Sequence, residues 1–173
     1  MISDSLNKIL NRNNIPLDEV EKVVYEYILQ SIFEDIVAYL LEDNNKENIM
    51  NNLRQFEDKE IVVNKLILDI TGMKVNESEL STITKWVIAF IEKKASRIKI
   101  KDKEKIKLLE NQNYKCKLCK REIDLCNSEY DHIISWKLVG DELENNYQML
   151  CKHCNRCKSS SILYRFIMLF KKY

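Results

Sequence analysis

Apolar residues recur at intervals of three and four positions along the first part of the chain, a spacing typical of amphipathic helices. The longest apolar stripe begins at Val20, shortly after Pro16, and predicts one helix over about 17–42. Shorter stripes predict further helices with recognisable ends: one near 46–56, one over 58–71 stopped by Gly72, and one that follows Asn76 or Ser78. This part of the chain is therefore predicted to be a small helical bundle.

The second part of the chain begins with a basic stretch at 96–103, whose alternation fits either a short strand or a solvated connector. Asp102 is positioned to cap a helix over about 103–112. Beyond this helix apolar residues are sparse, so a hydrophobic core alone would leave this part of the chain marginally stable.

Length and composition limit the possible classes of protein. With 173 residues, 45% of them hydrophobic and 32% charged, the chain is long enough for one domain or two small ones. It has no run of about 18 uncharged apolar residues, and its first residues lack a basic segment followed by an apolar run. We therefore expect no membrane segment, no secretory signal and a cytoplasmic location.

The net charge of +1 hides a division between the two parts of the chain. Residues 1–95 carry a net charge of −6, whereas residues 96–173 carry +7. The basic part is suited to a polyanion such as nucleic acid, although a basic surface is more often only a solvated face. The acidic charge of the helical part disfavours contact with DNA, so we expect that part to dock a protein partner or to regulate.

Four of the six cysteines form two C-x-x-C pairs: Cys116 with Cys119, and Cys151 with Cys154. Each pair can hold a metal from one tight turn, and four thiolates satisfy the tetrahedral preference of Zn²⁺ in a structural site. Disulfides are the alternative, but thiols in the cytosol stay reduced. We interpret the remaining cysteines, Cys126 and Cys157, as small buried or half-buried thiols. The alternative for Cys157 is that it serves as an alternate metal ligand.

Side chains suited to phosphodiester hydrolysis lie between and beside the cysteine pairs. His132 is a candidate general base, and Asp131 and Asn155 offer oxygen atoms to a second, catalytic cation. A general base contributes only about a hundred- to ten-thousand-fold, so hydrolysis also needs a cation to neutralise developing charge. Oxygen ligands favour Mg²⁺ or Mn²⁺. The structural alternative is that His132 is a buried, hydrogen-bonded side chain without a catalytic role.

Three short segments carry a resemblance to a known family: Asp131-His132-Ile133-Ile134, Asn146-Tyr147-Gln148-Met149-Leu150-Cys151 and Cys154-Asn155-Arg156-Cys157-Lys158. In order and spacing they resemble the HNH endonuclease family over roughly residues 105–160. The resemblance implies a ββα-metal unit, in which a hairpin packs on a helix around one divalent cation. It also implies an activity that cuts phosphodiester bonds, usually in DNA.

The resemblance assigns a role to each matching residue. It implies that His132 is the general base, that Asp131 and Asn155 bind the catalytic cation, and that Asn146 orients the base by holding the hairpin loop. Two positions depart from the family pattern: Ser135 replaces a common proline, and Gly140-Asp141 replaces paired glycines. Both departures affect the shape of the loop more than the chemistry.

Together these inferences predict an α+β fold that is mostly α: an N-terminal helical bundle, a zinc-stapled ββα-metal HNH unit and a C-terminal helix. The predicted domains are an acidic helical module over 1–96 and a basic nuclease domain over 97–173. An apolar stripe from Ile162 to Phe170 predicts the terminal helix, which either packs on the bundle or contacts a partner. Three basic side chains are weaker candidates for contact with nucleic acid: Lys137, Arg156 and Lys158.

The predicted function is a metal-dependent HNH endonuclease with structural Zn²⁺ and catalytic Mg²⁺ or Mn²⁺, acting on double-stranded DNA. Two alternatives stay open. One is a catalytically inactive, zinc-dependent module that binds nucleic acid or serves as a scaffold, and the other is a nuclease that cuts RNA. Stand-alone HNH nucleases suggest a setting in bacterial defence, restriction or mobile elements, by analogy alone.

Overall fold

The computed structural model of the protein describes residues 4–158. Its first part consists of consecutive helices: α1 (Asp4–Arg12), α2 (Leu17–Leu40), α3 (Asn45–Gln55), α4 (Lys59–Thr71) and α5 (Glu77–Glu92). The helices predicted from the apolar stripes are confirmed as α2 to α5. Helix α1 was not predicted, because it is short and precedes the Pro16 that marks the start of the longest stripe.

Local sequence explains where α4 and α5 begin and end. Asp58 caps α4 by accepting a hydrogen bond from a backbone N–H at 2.9 Å, and Gly72 ends the helix in the left-handed conformation with φ of 68°. Asn76 begins α5 with a capping box, in which Asn76 and Glu79 each accept a backbone N–H of the other. The predicted stop at Gly72 and the predicted cap at Asn76 are both confirmed.

The second part contains a hairpin between helices: α6 (Asp102–Asn111), β1 (Ser128–His132), α7 (Trp136–Val139), β2 (Tyr147–Cys151) and α8 (Lys152–Lys158). Strands β1 and β2 pair antiparallel, with Ser128 opposite Cys151 and His132 opposite Tyr147. Helix α8 contacts both strands, which gives the expected ββα arrangement. The predicted class, α+β with mostly helix, is confirmed for the described residues.

The start of α6 differs slightly from the prediction. Asp102 is the first residue of the helix rather than its cap, and the preceding Lys101 donates its backbone N–H to Glu104 Oε2 at 3.0 Å. The Asp102 carboxylate instead accepts a hydrogen bond from the ammonium of Lys105 at 2.8 Å, and this bond lowers the pKa of Asp102. The acidic first turn suits the positive end of the helix dipole.

The chain divides into two compact units. Within the described residues, the helical unit contains 28–98 and 134–146, and the hairpin unit contains 4–27, 99–133 and 147–158. This division by contacts differs from a linear division after residue 96, because the segment between the two strands belongs to the helical unit. The linear boundary between functional modules stays a prediction.

Each unit has its own apolar core. The helical unit is built around side chains of α2, α4 and α5, and it also buries two residues of the segment between the strands: Ile134 and Val139. The core of the hairpin unit is smaller and combines aliphatic side chains with three of the cysteines: Leu109, Ile123, Met149, Leu150, Cys116, Cys151 and Cys154. A core of this size is consistent with a need for a metal.

Two expectations concern regions or properties beyond these elements. The predicted helix from Ile162 to Phe170, with the serines before it, lies outside the described residues. Among the helices that the structure describes, none combines the length and the apolar character needed to cross a membrane.

Candidate active site and zinc centre

The cysteines of the two C-x-x-C pairs come together in the hairpin unit, with their sulfur atoms all within 4.8 Å of one another. The Sγ atoms of Cys119 and Cys151 are 3.8 Å apart. Tetrahedral Zn²⁺ with Zn–S distances of about 2.3 Å requires a sulfur–sulfur separation of about 3.8 Å, whereas a disulfide bond is about 2.05 Å long. All six cysteines lie within the described residues, and none of them forms a disulfide. The cluster is therefore consistent with a structural zinc site and not with disulfides.

Burial acts to raise the pKa of Cys116 and of Cys119, whereas backbone hydrogen bonds act to lower it. Burial acts to raise the pKa of Cys116, but the backbone N–H groups of Cys151, Cys119 and Leu118 outweigh it, so the pKa of Cys116 is lowered. Burial raises the pKa of Cys119 and, more strongly, that of Cys154. Four thiolates repel one another in so small a volume, so a cation between them is needed for all four to deprotonate.

The two cysteine pairs lie on different local structures. The first lies on a tight knuckle, in which Cys116 donates its N–H to Arg121 O at 2.8 Å and accepts from the N–H of Lys120 at 3.0 Å. Lys120 takes a φ of 60° to complete this turn. The second pair joins the end of β2 to α8, because Cys151 is the last residue of the strand and Cys154 lies in the first turn of the helix.

Gln112, which follows α6, ties that helix to the strand that carries Cys151. Its Oε1 accepts the backbone N–H of Met149 at 2.8 Å, and its Nε2 donates to the carbonyl oxygen of Met149 at 2.9 Å. One side chain thus satisfies both polar groups of a strand residue. The same Nε2 also donates to the carbonyl oxygen of Lys115 at 2.9 Å, so Gln112 links the residue before Cys116 to the strand that ends at Cys151.

The remaining two cysteines differ from the expectation. Both Cys126 and Cys157 are exposed, so the interpretation of these residues as buried or half-buried thiols is wrong. Cys157 lies outside the metal cluster, and its Sγ is 3.8 Å from Nε2 of His153, one turn earlier on the exposed face of α8. The helix presents these two side chains to solvent while Cys154 faces the core.

Two pairs of side chains link β1 to α8. Asn155 Nδ2 donates to Glu129 Oε2 at 2.8 Å, and the Lys158 ammonium forms an ion pair with Asp131 Oδ2 at 2.8 Å. Glu129 and Asp131 are two residues apart on the strand, so they point to the same face of the hairpin. The structure therefore brings both predicted ligands of the catalytic cation, Asp131 and Asn155, to one hairpin–helix contact.

His132 is the last residue of β1 and is only 2% exposed. The centroid of its ring lies 4.8 Å from that of Tyr147 and 6.1 Å from that of Tyr130. Because side chains alternate along a strand, His132 and Asp131 point to opposite faces of the hairpin. The candidate base thus lies in an aromatic environment, while the candidate cation ligand faces α8.

Asn146 is buried just before β2 and holds one peptide unit with both atoms of its amide. Its Oδ1 accepts the N–H of Ile134 at 2.7 Å, and its Nδ2 donates to the Ile134 carbonyl at 2.9 Å. Ile134 follows His132 by two positions in the chain. This is the contact that a loop-holding side chain must make, while the catalytic role of Asn146 stays a prediction.

The two departures from the family pattern both shape the loop that contains α7. The Ser135 hydroxyl accepts the N–H of Lys137 at 3.3 Å and caps the helix. Gly140 ends it with φ of 63° and ψ of −144°, a conformation that glycine adopts readily and other residues rarely do. Asp141 then accepts hydrogen bonds from Trp136 Nε1 at 3.0 Å and from the backbone N–H of Ile98 at 2.7 Å.

The three candidate contacts to nucleic acid are placed differently. Lys137 and Arg156 are exposed. Lys158 is buried, with 5% of its surface exposed, and its ammonium also donates to the carbonyl oxygen of His132 at 2.7 Å. In this structure Lys158 joins α8 to the end of β1 instead of facing solvent.

The residues around Asp131 fit a hard divalent cation. Gln148 lies opposite Asp131 in the hairpin and donates Nε2 to Asp131 Oδ2 at 3.0 Å. The other amide atom, Oε1, is buried and has no hydrogen-bond partner within residues 4–158. A buried oxygen without a partner beside a carboxylate is a group that a cation or a cation-bound water would satisfy. The remaining donors nearby, Glu129 and Asn155, also offer oxygen.

Sequence reasoning missed two residues of this contact, Glu129 and Gln148. It also missed that Lys158 pairs with Asp131. The period of two along a strand would have placed Glu129 on the same face as Asp131. Gln148 is found only when the register of the hairpin is known, because it lies opposite Asp131 across the strands. The Lys158 contact depends on how α8 packs on β1.

The hairpin and the helix packed on it form a ββα unit, and the four-cysteine cluster beside them is consistent with a zinc site. Residues 116–161 match the family model described as HNH endonuclease, a span that includes the four clustered cysteines with Asp131, His132, Asn146 and Asn155. This part of the chain is an HNH endonuclease domain, as the resemblance predicted, and it supports a nuclease-type function that acts on nucleic acid. No curated protein and no solved structure matches the chain.

Proposed function

We propose that this protein is a metal-dependent endonuclease that hydrolyses phosphodiester bonds in double-stranded DNA. The observation that carries the proposal is the placement of Asp131 and Asn155 at one hairpin–helix contact within the segment that matches the HNH family. The net charge of +7 on residues 96–173 supports a polyanionic substrate.

In this proposal Asp131 and Asn155 would hold Mg²⁺ or Mn²⁺. Gln148 Oε1, which has no hydrogen-bond partner among residues 4–158, would accept a hydrogen bond from a water bound to that cation. The cation, when bound, neutralises charge that develops at the scissile phosphate. His132 accepts the proton of the attacking water, and Asn146 fixes the backbone that follows His132. Asp131 and His132 are adjacent at the end of β1, but their side chains lie on opposite faces of the hairpin. The ring of His132 must therefore turn toward the cation before it can act as the base.

The size of the required rate enhancement indicates that the general base and the cation both contribute to catalysis. Enzymes lower the barriers of such reactions by about 8–23 kcal/mol, and a general base supplies about a hundred- to ten-thousand-fold of that effect. His132 alone therefore cannot account for the catalysis. The zinc cluster acts in folding, since all four of its ligand positions are filled by cysteine and none stays open for substrate.

The test is cleavage of supercoiled plasmid by the zinc-loaded full chain with Mg²⁺ or Mn²⁺. We expect His132→Ala to lower the cleavage rate by about a hundred- to ten-thousand-fold. The matched control is His153→Ala, because His153 is the other histidine of the chain and is exposed. Cleavage at the full rate by His132→Ala, at unchanged zinc content, would contradict the role proposed for this residue.

The same preparation separates the alternatives. Parallel digestion of RNA identifies an RNA-cleaving nuclease if RNA is cut faster than plasmid. Binding to duplex DNA without cleavage under either divalent cation identifies an inactive binding or scaffolding module. The proposal requires cleavage of DNA that depends on the divalent cation.

A protein partner for the helical unit is a second part of the proposal. An apolar groove of about 910 Å³ between α2, α3 and α4 is bordered by three acidic side chains, Asp35, Glu42 and Asp69, and by one basic side chain, Lys65. The excess of acidic side chains at the edge of this groove favours a basic partner segment. A setting in defence, restriction or mobile elements stays a prediction, and so does a cytoplasmic location. Affinity capture with the full chain tests it: Ile61→Glu, at an exposed position of the groove, should lose a partner that the unaltered protein retains.

A further inference from the structure

The contact between β1 and α8 contains a buried cation that belongs to the protein itself. Lys158 is 5% exposed, and its ammonium lies 2.8 Å from Asp131 Oδ2 and 2.7 Å from the carbonyl oxygen of His132. A buried ammonium is costly unless it is paired and hydrogen-bonded. Asp131 provides the charge that compensates Lys158, and Lys158 in turn compensates Asp131.

The spacing of the two elements makes this pairing specific. Asn155 and Lys158 are three residues apart on α8 and lie on the same face of the helix. Glu129 and Asp131 are two residues apart on β1 and also share a face. The helix therefore meets the strand with an amide against Glu129 and an ammonium against Asp131.

The ammonium and a catalytic cation require the same carboxylate. Asp131 Oδ2 already accepts hydrogen bonds from Lys158 and from Gln148 Nε2, and the side chain is 17% exposed. A divalent cation bound to Asp131 would lie close to the Lys158 ammonium. If Lys158 stayed in place, Coulomb repulsion at an effective dielectric constant of about 20 would weaken the binding of the divalent cation by more than about a hundredfold. Lys158 must therefore move before a divalent cation binds tightly.

We propose that Lys158 is an internal counter-ion that competes with the divalent cation for Asp131. This inference rests on the proposed function, because it requires Asp131 to be a ligand of the catalytic cation. In the free protein the tethered ammonium keeps the affinity for the divalent cation low. A nucleic-acid phosphate at the site adds negative charge, gives the displaced ammonium a new partner and so favours exchange of Lys158 for the divalent cation.

The opposite effect would follow if Lys158 served only to orient Asp131. Side chains that hydrogen-bond to a metal ligand raise metal affinity, and their loss lowers it by about 10–100-fold. Competition and orientation therefore predict changes of opposite sign when the ammonium is removed. The sign of the change in affinity decides between them without any measurement of cleavage.

The experiment measures Mn²⁺ binding to the zinc-loaded full chain by titration calorimetry in the absence of nucleic acid. We expect Lys158→Met, which keeps the length of the side chain and removes its charge, to bind Mn²⁺ at least about tenfold more tightly, about 1.4 kcal/mol. The gain is smaller than the rigid repulsion because Lys158 can move aside. The matched control is Lys152→Met, which removes one charge from an exposed position of the same helix and should change the affinity by less than about threefold.

An affinity of Lys158→Met that is equal to or weaker than that of the unaltered protein overturns the proposal. A gain that survives addition of Asp131→Asn also overturns it, because the cation would then be bound elsewhere. The affinity for Mn²⁺ tests this inference, whereas plasmid cleavage by the unaltered protein tests the proposed function. The two can therefore fail separately.

A second measurement covers the case in which Lys158→Met does not fold. In the unaltered protein, the side-chain ammonium of Lys158 should give a protected ¹⁵N–¹H signal, which Lys158→Arg identifies by its absence. We expect saturation with Mg²⁺ to remove the protection of this signal. A signal that keeps its position and its protection at saturation overturns the proposal.

Discussion

The amide of Asn146 provides the sharpest test of how the segment between the strands is held. Asn146 is 3% exposed, and it satisfies both backbone polar groups of Ile134, which is also buried. Asn146→Ala removes both hydrogen bonds and leaves one N–H and one carbonyl in a buried position. Each such group costs about 1–3 kcal/mol when it is left without a partner.

The two groups together predict a loss of about 2–4 kcal/mol in the free energy of unfolding, with some of the penalty relieved by water that enters the space of the amide. With a urea dependence of about 1–3 kcal/mol per molar, the midpoint should fall by roughly 1–2 M. The assay is urea denaturation followed by tryptophan fluorescence. Both tryptophans of the chain, Trp86 and Trp136, lie in the same helical unit as Asn146.

Two further variants serve as controls for the loss of stability in Asn146→Ala. Asn146→Asp keeps the acceptor for the Ile134 N–H but sets a carboxylate against the Ile134 carbonyl, so it should be at least as unstable as Asn146→Ala. Glu144→Ala changes an exposed residue of the same loop and should stay within about 0.5 kcal/mol of the unaltered protein. If Asn146→Ala also stays within that range, the reasoning from the two buried hydrogen bonds is refuted.

Two other predictions concern the metal and the loop. The full chain should contain one zinc per molecule, as measured by atomic emission. Cys154→Ala should lose that zinc and unfold the hairpin unit, because zinc binding contributes about 10–16 kcal/mol in comparable peptides. The control Cys126→Ser, at an exposed cysteine outside the cluster, should retain the zinc. Gly140→Ala should destabilise the helical unit by about 2–3 kcal/mol, since its backbone conformation is nearly restricted to glycine and a Cβ would overlap the Glu142 carboxylate and lie 2.9 Å from Lys93 Cγ. Gly72→Ala should cost only about 1–2 kcal/mol by the same urea assay, because Gly72 lies in the left-handed helical region and no described residue lies within 4 Å of the added carbon. Equal losses at the two glycines would contradict the stronger backbone restriction assigned to Gly140.

The helices could be predicted because the evidence for them is local. The apolar period, the stop at Gly72 and the cap at Asn76 depend on residues that are neighbours in the chain, so the printed order of residues already contains them. The zinc cluster could be predicted for a similar reason. Each C-x-x-C pair is a short-range unit, and the preference of zinc for four tetrahedral thiolates predicts that the two pairs come together.

The environment of the candidate base could not be predicted in the same way. The family resemblance predicted roles for the adjacent residues His132 and Asp131 at one site. The strand nevertheless directs their side chains to opposite faces of the hairpin. The ring of His132 is buried against Tyr147 because these residues are paired across the hairpin. The exposure of Cys126 and Cys157 likewise depends on which face of each element meets the core.

The sequence by itself determined the helical first part, the four cysteines that cluster and the family that the second part matches, because short-range spacing and residue type carry that information. Only the tertiary structure decided that residues 134–146 belong to the helical unit, that Gln148 Oε1 lies buried without a hydrogen-bond partner among the described residues, and that Lys158 is the buried partner of Asp131. These facts depend on contacts between residues that are distant in the chain. Burial and hydrogen bonding between such residues are set by the packing of whole elements, which no local pattern specifies.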